Sequence, residues 1–335
     1  MTVSSRHTDA DAIVIGAGLM GACAADALAR AGQRVIVVDA LSPGSAATRC
    51  AIGLACASLT AHDIAQTQRG ARMLGEMAAR LGVETRATRV LHLAAKPEKR
   101  DALRGRLPEL AEAELSPRWE ASPAIVPDGF GGGLSVSGGV VFDLPKLIHA
   151  ALAQPGIQVL AGAQINKIED YGARIALGRD HTLSADKIVL ATNAHSGLLA
   201  PYLAESSATA RGVTWISHPL TSGWYTQMRA MPLVIDEGRV IVAEDAARHL
   251  QIGSWVWDAD DLADPADAVR RLLRANAADL LHETRDWYGG ITAITPDRSP
   301  LFGALDEAGN VMYATALGAF GAAWAPVLAE KLASE

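Results

Sequence analysis

Residues 12–39 read AIVIGAGLMGACAADALARAGQRVIVVD. The apolar run Ala12–Ile15 predicts a buried strand, the alanine-rich stretch Ala22–Arg30 predicts a helix, and Val35–Val38 predicts a second strand. The turn before the helix has glycines in the spacing G-x-G-x-x-G, namely Gly16, Gly18 and Gly21. A strand, a glycine turn, a helix and a second strand in this order are typical of a βαβ unit that binds a dinucleotide.

Each glycine has its own physical role in such a turn. Gly16 permits the tight turn, Gly18 lets the backbone approach a pyrophosphate, and Gly21 lets the helix pack on the strand. Asp39 follows the second strand, where a carboxylate accepts hydrogen bonds from ribose hydroxyls and repels a 2′-phosphate. The alternative is a glycine-rich surface turn, which does not explain the strands, the helix and the acid together. This segment alone leaves NAD and FAD both open.

The composition narrows the class of protein and of partner. The chain has 335 residues, half of them hydrophobic, which is enough for two domains. Its net charge of -7 gives no long-range attraction to nucleic acid or to an anionic membrane, so we expect a small-molecule partner. The N-terminal Met1–Ala10 lacks the apolar core of a secretion signal, and no apolar run reaches about 18 residues. We therefore expect a soluble protein and no membrane contact.

The cysteines are few and irregularly spaced. Cys23, Cys50 and Cys56 form no CxxC pair, and their number is odd. We therefore expect neither a disulfide framework nor a zinc site. The sequence predicts no metal site. A reducing cytoplasm fits this pattern best.

Four further segments make the chain resemble the D-amino-acid oxidase family of FAD-dependent oxidoreductases, which includes glycine oxidase and sarcosine oxidase. They are AATRCAIGLACA at 46–57, GGVVFDLPKLIHAAL at 138–152, IVLATNAHS at 188–196, and 289–326, which contains TPDRSPLFG and ATALGAFGAAWAP. The resemblance spans nearly the whole chain. It implies an α/β fold, with a Rossmann-type FAD-binding domain and a second, strand-rich α+β substrate domain. We place the FAD-binding domain at 1–85, 138–210 and 285–335, and the substrate domain at 86–137 and 211–284.

The resemblance also assigns residues to the nucleotide half of FAD. The residues implied around the ADP moiety are Gly16, Gly18, Leu19, Met20, Gly21, Asp39 and Ala40. Thr48, Arg49 and Cys50 lie in the loop that wraps the pyrophosphate in this family and reaches the flavin. Ile168 is expected to contact adenine. Ala191 and Asn193 belong to a turn beside the ADP, where Asn193 replaces a common glycine.

The start of the last helix is expected to lie against the flavin ring of FAD. The resemblance places Gly318, Ala319, Phe320, Gly321 and Ala322 at its start. Backbone N–H groups there would face the flavin pyrimidine oxygen as it gains negative charge on reduction. The alternative is an ordinary glycine-rich helix start.

One segment departs from the family pattern. Many members have G-x-R-P-x-T-x-D, whose arginine clamps a substrate carboxylate with two parallel hydrogen bonds. Here 290–297 reads GITAITPD, so Thr292 stands at the arginine position, and a neutral hydroxyl cannot replace a bidentate guanidinium. With Arg298 and Phe320, Thr292 is a candidate catalytic residue. The usual carboxylate clamp is not expected.

These features predict an FAD-dependent amine or amino-acid oxidase or dehydrogenase. The expected reaction breaks a C–N bond by hydride transfer to flavin N5, and water then hydrolyses the imine. Oxygen or another acceptor would reoxidise the flavin. We expect noncovalent FAD, because no cysteine follows Cys56 and a buried, unreactive thiol is the common state of a cysteine such as Cys50.

Three alternatives remain open at this point. SHPL at 217–220, IGSWVWDADD at 252–261 and ATALGAFG also resemble the FAD-dependent oxidase domain of the bifunctional tRNA wobble-uridine modification enzyme. Residues 86–106 carry seven basic and two acidic side chains, yet the acidic chain as a whole is not expected to bind tRNA unaided. The second alternative is a flavin-binding subunit without catalysis. The third is an NAD-dependent dehydrogenase, which would be colourless.

Overall fold

The structure is a computed structural model that describes residues 9–59, 63–122, 126–127, 129–169, 174–177, 181–219, 231–245, 247–256, 264–276 and 282–335. The chain divides into two compact units. The first unit comprises Met1–Arg49, Leu144–Thr209 and Ile291–Glu335. The second unit comprises Cys50–Asp143 and Ala210–Gly290.

The described strands are, in chain order, β1 Asp9–Ile15, β2 Val35–Asp39, β3 Leu54–Ala55, β4 Thr85–Leu93, β5 Arg118–Glu120, β6 Gly133–Phe142, β7 Ile157–Ala161, β8 Ile165–Glu169, β9 Arg174–Leu177, β10 His181–Leu190, β11 Ala208–Pro219, β12 Leu233–Ile235, β13 Val240–Glu244, β14 His249–Val256, β15 Thr284–Ile294, β16 Leu301–Ala304 and β17 Val311–Thr315. The described α-helices are α1 Leu19–Arg30, α2 Ile64–Arg80, α3 Pro97–Gly105, α4 Leu107–Glu112, α5 Leu144–Leu152, α6 Pro201–Glu205, α7 Pro265–Asn276 and α8 Gly321–Ser334. Short 3-10 turns cover Ala47–Cys50, Asn193–Leu198, Asp236–Gly238 and Gly318–Phe320.

The first unit is built on a largely parallel sheet with the strand order β16-β17-β10-β1-β2-β7. The pairs β17/β10, β10/β1, β1/β2 and β2/β7 are parallel, and β16 adds an antiparallel edge. Ile13, Val14 and Val37 are fully buried, as expected where helices cover both faces of a parallel sheet. The carboxyl ends of β1, β2, β10 and β17 therefore meet at one edge.

Helix α1 contacts both this sheet and the C-terminal helix α8. It packs against α5 and α8, and its alanines at positions 22, 24 and 25 are fully buried because small side chains allow close helix contact. Lys187 of β10 donates from Nζ to the carbonyl of Leu332 at 2.8 Å, near the end of α8. A cation at a helix carboxyl end is favourable for the exposed carbonyls there.

The second unit is strand-rich, with the order β15-β11-β14-β13-β12-β4-β6-β3 and β5 paired to β6. Its core contains Trp215, which is fully buried, together with Leu91, Leu93 and Ile252. The Trp215 indole N–H donates to Thr284 Oγ1 at 2.8 Å, so the ring is buried without an unsatisfied donor.

This architecture confirms the predicted α/β class with a Rossmann-type unit and a second, strand-rich unit. The bounds differ most at residues 50–85, which we expected in the FAD-binding domain and which lie in the second unit. The reason is tertiary, because β3 pairs with β6 and α2 packs on the same strand. Gly289 and Gly290 lie inside β15, although glycine disfavours strand interiors.

Candidate functional site

The candidate site lies at the carboxyl edge of the parallel sheet, where ligands bind in open α/β folds. Gly16 follows β1, Asp39 ends β2, Ala191 follows β10 and Ala316 follows β17. Parallel pairing sets Ile15 beside Val38 on one side and beside Leu190 on the other. Segments far apart in the sequence therefore meet at one edge.

The glycine turn has no space for side chains at two of its positions. Gly16 has a φ of +105°, and an added Cβ would lie 2.6 Å from the carbonyl oxygen of Ala191. At Gly21 an added Cβ would lie 1.7 Å from the carbonyl oxygen of Gly16. The first glycine thus sets the turn and the last lets α1 begin directly over it.

Asp39 organises this turn through backbone N–H groups. Its Oδ2 accepts from Ala17 N at 2.6 Å, and its Oδ1 accepts from Leu41 N at 2.8 Å. A carboxylate oxygen has two lone pairs, so both oxygens retain capacity for ribose hydroxyls. Ala40 follows as an exposed residue.

Thr48 lies against the start of α1. Its Oγ1 accepts from Leu19 N at 3.3 Å, and an added Cβ on Gly18 would lie 3.0 Å from that oxygen. Gly18 is the N-cap of α1 and provides no side-chain cap, so Thr48 supplies an oxygen to the first turn from another segment. Arg49 is exposed beside it.

The turn after β10 connects Asn193 to Thr292. Asn193 has a φ of +50°, and its Nδ2 donates to Thr292 Oγ1 at 2.9 Å. Its Oδ1 accepts from Ala293 N at 2.9 Å. Ala191 N donates to Ile15 O at 2.8 Å, which attaches the same turn to β1. The residues in place of a common family glycine and a common family arginine are therefore direct partners.

Three side-chain hydroxyls form hydrogen bonds with this turn and with one another. Thr315 Oγ1 donates to the carbonyl of Asn193 at 3.0 Å, Ser196 Oγ donates to Thr315 Oγ1 at 3.1 Å, and Thr192 Oγ1 lies 3.0 Å from Ser196 Oγ. Sequence reasoning placed the turn 191–194, which includes Thr192, beside the ADP, but it missed Ser196 and Thr315 as hydrogen-bond partners of that turn. The spacing of four residues between Thr192 and Ser196 was the available signal, and only the pairing of β10 with β17 brings Thr315 to them.

The residues directly before α8 form a tight turn. Ala316 and Gly318 have positive φ values of 53° and 62°, which interrupt helical geometry. Gly318, Ala319 and Phe320 form a 3-10 turn, and the α-helix begins at Gly321, followed by Ala322. Phe320, the N-cap of α8, makes no side-chain cap bond. The carbonyl oxygen of Arg298 lies 4.0 Å from the position of an added Cβ on Gly318.

The remaining residues predicted to contact FAD are buried. Met20 is buried on α1, and Ile168 of β8 is buried in the apolar core of the first unit. Cys50 is buried and its carbonyl accepts from Thr214 Oγ1.

The three cysteines are buried, and none of them forms a disulfide. Burial raises the pKa of Cys23, and it raises the pKa of Cys56 to about 12. Buried thiols with raised pKa values are poor nucleophiles. Across the described residues, no group of three or more histidine, cysteine, aspartate or glutamate side chains is arranged to hold a metal ion. In the same residues, no helix has the length and apolar character needed to cross a membrane.

Comparison with known families identifies the class. Residues 11–335 match the family described as DAO, FAD dependent oxidoreductase. Because the match covers almost the entire chain, the protein belongs to this family and is an FAD-dependent oxidoreductase. The resemblance to the D-amino-acid oxidase family and the cofactor are thus confirmed.

Solved structures of similar fold include oxidoreductases of amino compounds. Glycine oxidase from Geobacillus kaustophilus has a TM-score of 0.81 at 18% identity, over 96% of this chain and 92% of that one. L-proline dehydrogenase from P. horikoshii has a TM-score of 0.81 at 16% identity, over 98% of this chain and 93% of that one. At these identities the likeness concerns the fold.

A curated relative is the tRNA 5-methylaminomethyl-2-thiouridine biosynthesis bifunctional protein MnmC from Maricaulis maris. It is 27% identical over 345 residues, covering 99% of this chain and 53% of the relative. The chain therefore spans about half the length of that protein.

Proposed function

We propose that this FAD-dependent oxidoreductase oxidises a C–N bond of a small amine or amino acid. The observation that carries the proposal is the carboxyl edge of the parallel sheet, where the glycine turn, Asp39, Asn193 and Thr292 meet in a member of this family. The similar folds of glycine oxidase and L-proline dehydrogenase support amino compounds as the substrate class.

The residues present fit the nucleotide half of FAD. Gly16, Gly18 and Gly21 have no side chains, so the backbone of this turn can approach the pyrophosphate closely. The N-terminus of α1, with its partial positive charge, lies at the same turn. We assign the pyrophosphate to the Gly16–Gly21 turn and Thr48. We assign the adenosine ribose to Asp39, whose carboxylate is already oriented by two N–H groups. Ile168 is the candidate adenine contact.

The chain itself contributes position and a low-dielectric environment. When bound, FAD would supply the electron acceptor for hydride removal from the carbon beside the substrate nitrogen, giving an imine that water would hydrolyse. Gly318–Ala322 would offer backbone N–H groups to the flavin end, with the first turn of α8 free of a side-chain cap. Thr292 and Asn193 would orient the substrate. Arg298 and Phe320 remain candidate catalytic residues, and the Arg298 carbonyl lies near Gly318 in the turn before the last helix.

The experiment is a visible spectrum of the purified protein, followed by anaerobic titration with small amines and amino acids. A yellow protein whose flavin is bleached by one of them supports the proposal. A colourless protein that binds NADH would indicate a nicotinamide enzyme instead. A yellow protein that no amine reduces would indicate a flavin-binding subunit without catalysis.

A second candidate is the oxidase reaction of a tRNA modification enzyme, favoured by the 27% identity to the bifunctional protein. Lys96, Lys99 and Arg104 are exposed at α3 and are the basic groups such a substrate would need. Acidic neighbours Glu98 and Asp101 and the net charge of -7 oppose it. Salt-sensitive retardation of tRNA on a gel would favour this candidate, and unchanged migration at low salt would remove it.

A further inference from the structure

Asn193 and Thr292 both depart from the family pattern, and they are hydrogen-bonded to each other. We propose that this pair forms a specificity element that selects amines carrying a neutral acceptor, such as an amide or ester carbonyl, over amino acids with a free carboxylate. The inference rests on the proposed function, since it concerns the substrate of that site.

The orientation of the Asn193 amide follows from its neighbours. The backbone N–H of Ala293 needs an acceptor, which places Oδ1 there at 2.9 Å. The amide Nδ2 must then face Thr292 Oγ1, at 2.9 Å, and donates to it. Thr292 is thereby held in one place and presents a hydroxyl with one lone pair already used.

The hydrogen of that hydroxyl lacks a short acceptor within the pair. Asn193 Oδ1 lies at 3.2 Å and the carbonyl oxygen of Ala293 at 3.5 Å, both longer than the usual O–H···O distance of about 2.7–2.8 Å. It can therefore turn toward the acceptor of a bound molecule. One neutral donor satisfies a carbonyl oxygen.

A carboxylate makes a different demand. It binds well where two parallel, charge-assisted hydrogen bonds neutralise it, and desolvating it without them is costly. Thr292 brings no charge, and its amide partner Asn193 is neutral. A ligand carboxylate placed here would lose water and gain one neutral hydrogen bond.

The pair is also held rigidly. Asn193 has left-handed backbone geometry, and its carbonyl accepts from Thr315, whose hydroxyl is buried beside that of Ser196. Rigidly held polar groups discriminate well because they cannot rearrange around a mismatched ligand.

Binding to the FAD-loaded protein tests the element without turnover. Titrations with propionamide and propionate would be followed by perturbation of the flavin absorption. In the unmodified protein we expect propionamide to bind about tenfold or more tightly than propionate. T292V should lose most of this preference, because valine keeps the shape and removes the donor, and T292S should retain it. N193G/T292R should reverse it, because glycine makes room for a guanidinium.

Tyr202→Phe is the matched control, since it breaks a hydrogen bond between Tyr202 and Tyr313 in the same unit. It should leave the ratio unchanged. The inference is overturned if propionate binds as tightly as propionamide, if neither perturbs the flavin, or if T292V keeps the full preference. Anaerobic reduction by glycinamide and by glycine is read separately. Flavin that neither reduces, with the binding preference intact, contradicts the proposed function and not this inference.

Discussion

Gly21 stands where the carbonyl oxygen of Gly16 leaves no room for a methyl group. We expect Gly21→Ala to lose bound FAD and to destabilise the fold by about 3 kcal/mol or more, because backbone must move to relieve a 1.7 Å overlap. The flavin-to-protein ratio and thermal unfolding measure the two effects. Gly105→Ala is the control, since nothing lies within 4 Å of an added Cβ there. Full flavin occupancy in the Gly21 variant would contradict the packing argument.

Asp39 is half-buried, and both of its carboxylate oxygens accept backbone N–H groups of the glycine turn and the segment after β2. We expect Asp39→Asn to weaken FAD binding about tenfold or more, because an amide NH₂ would oppose one of the two N–H donors from Ala17 and Leu41. Titration of the apoprotein with FAD measures this. Asp186→Asn, on an exposed part of β10, removes the same charge without a role in the turn. Equal affinities in the two variants would show that only charge matters.

At the scale of the element, β4 carries a buried histidine. His92 faces the interior, and its Nε2 has no hydrogen-bond partner among the described residues. Burial, with a smaller effect from Arg106, lowers the pKa of His92 to about 3. The unfolded chain binds a proton there below its ordinary pKa of 6.5, and the folded chain does so only near pH 3. Stability is therefore lost as the pH falls through this interval.

We expect the free energy of unfolding to fall by about 1.4 kcal/mol per pH unit from this group alone. His92→Phe should remove that part of the slope between pH 6 and 3 while leaving carboxylate contributions in place. Denaturant unfolding at a series of pH values is the measurement. Parallel pH profiles for the two proteins would refute the assignment to His92.

Apolar periodicity predicted where two helices begin. α8 begins at Gly321, and α5 runs from Leu144 to Leu152, as that periodicity indicates. The turn before α8 was not predictable in detail, because Ala316 and Gly318 have left-handed backbone geometry and positive φ at an alanine has no sequence signature.

At the scale of the whole molecule, all three thiols are buried. We predict that FAD is held noncovalently, so acid precipitation should release the flavin into the supernatant in full. Flavin remaining with the precipitated protein would contradict this, and peptide mapping would identify the attachment residue. Cys50→Ser is the control that distinguishes a thioether at Cys50 from attachment elsewhere.

Local sequence pattern predicted the segment that we assign to the nucleotide half of FAD. The G-x-G-x-x-G spacing, the flanking strands and Asp39 are close in sequence, and short-range geometry sets what such residues do. The other segments extended the inference to FAD because their order along the chain is that of one family. Apolar runs also located several strands, including β13 from Val240 and β14 from His249.

Only the tertiary structure shows that Asn193 and Thr292 are hydrogen-bonded partners. Asn193 and Thr292 lie far apart in the sequence. Taken singly, each indicates only that a residue common in the family, a glycine and an arginine respectively, is absent. The fold brings the Asn193 amide against the Thr292 hydroxyl. Thr315 donates to the Asn193 carbonyl, and Ser196 donates to Thr315. The same cause moved residues 50–85 into the second unit, because strand pairing between β3 and β6 depends on long-range contacts that no local pattern encodes.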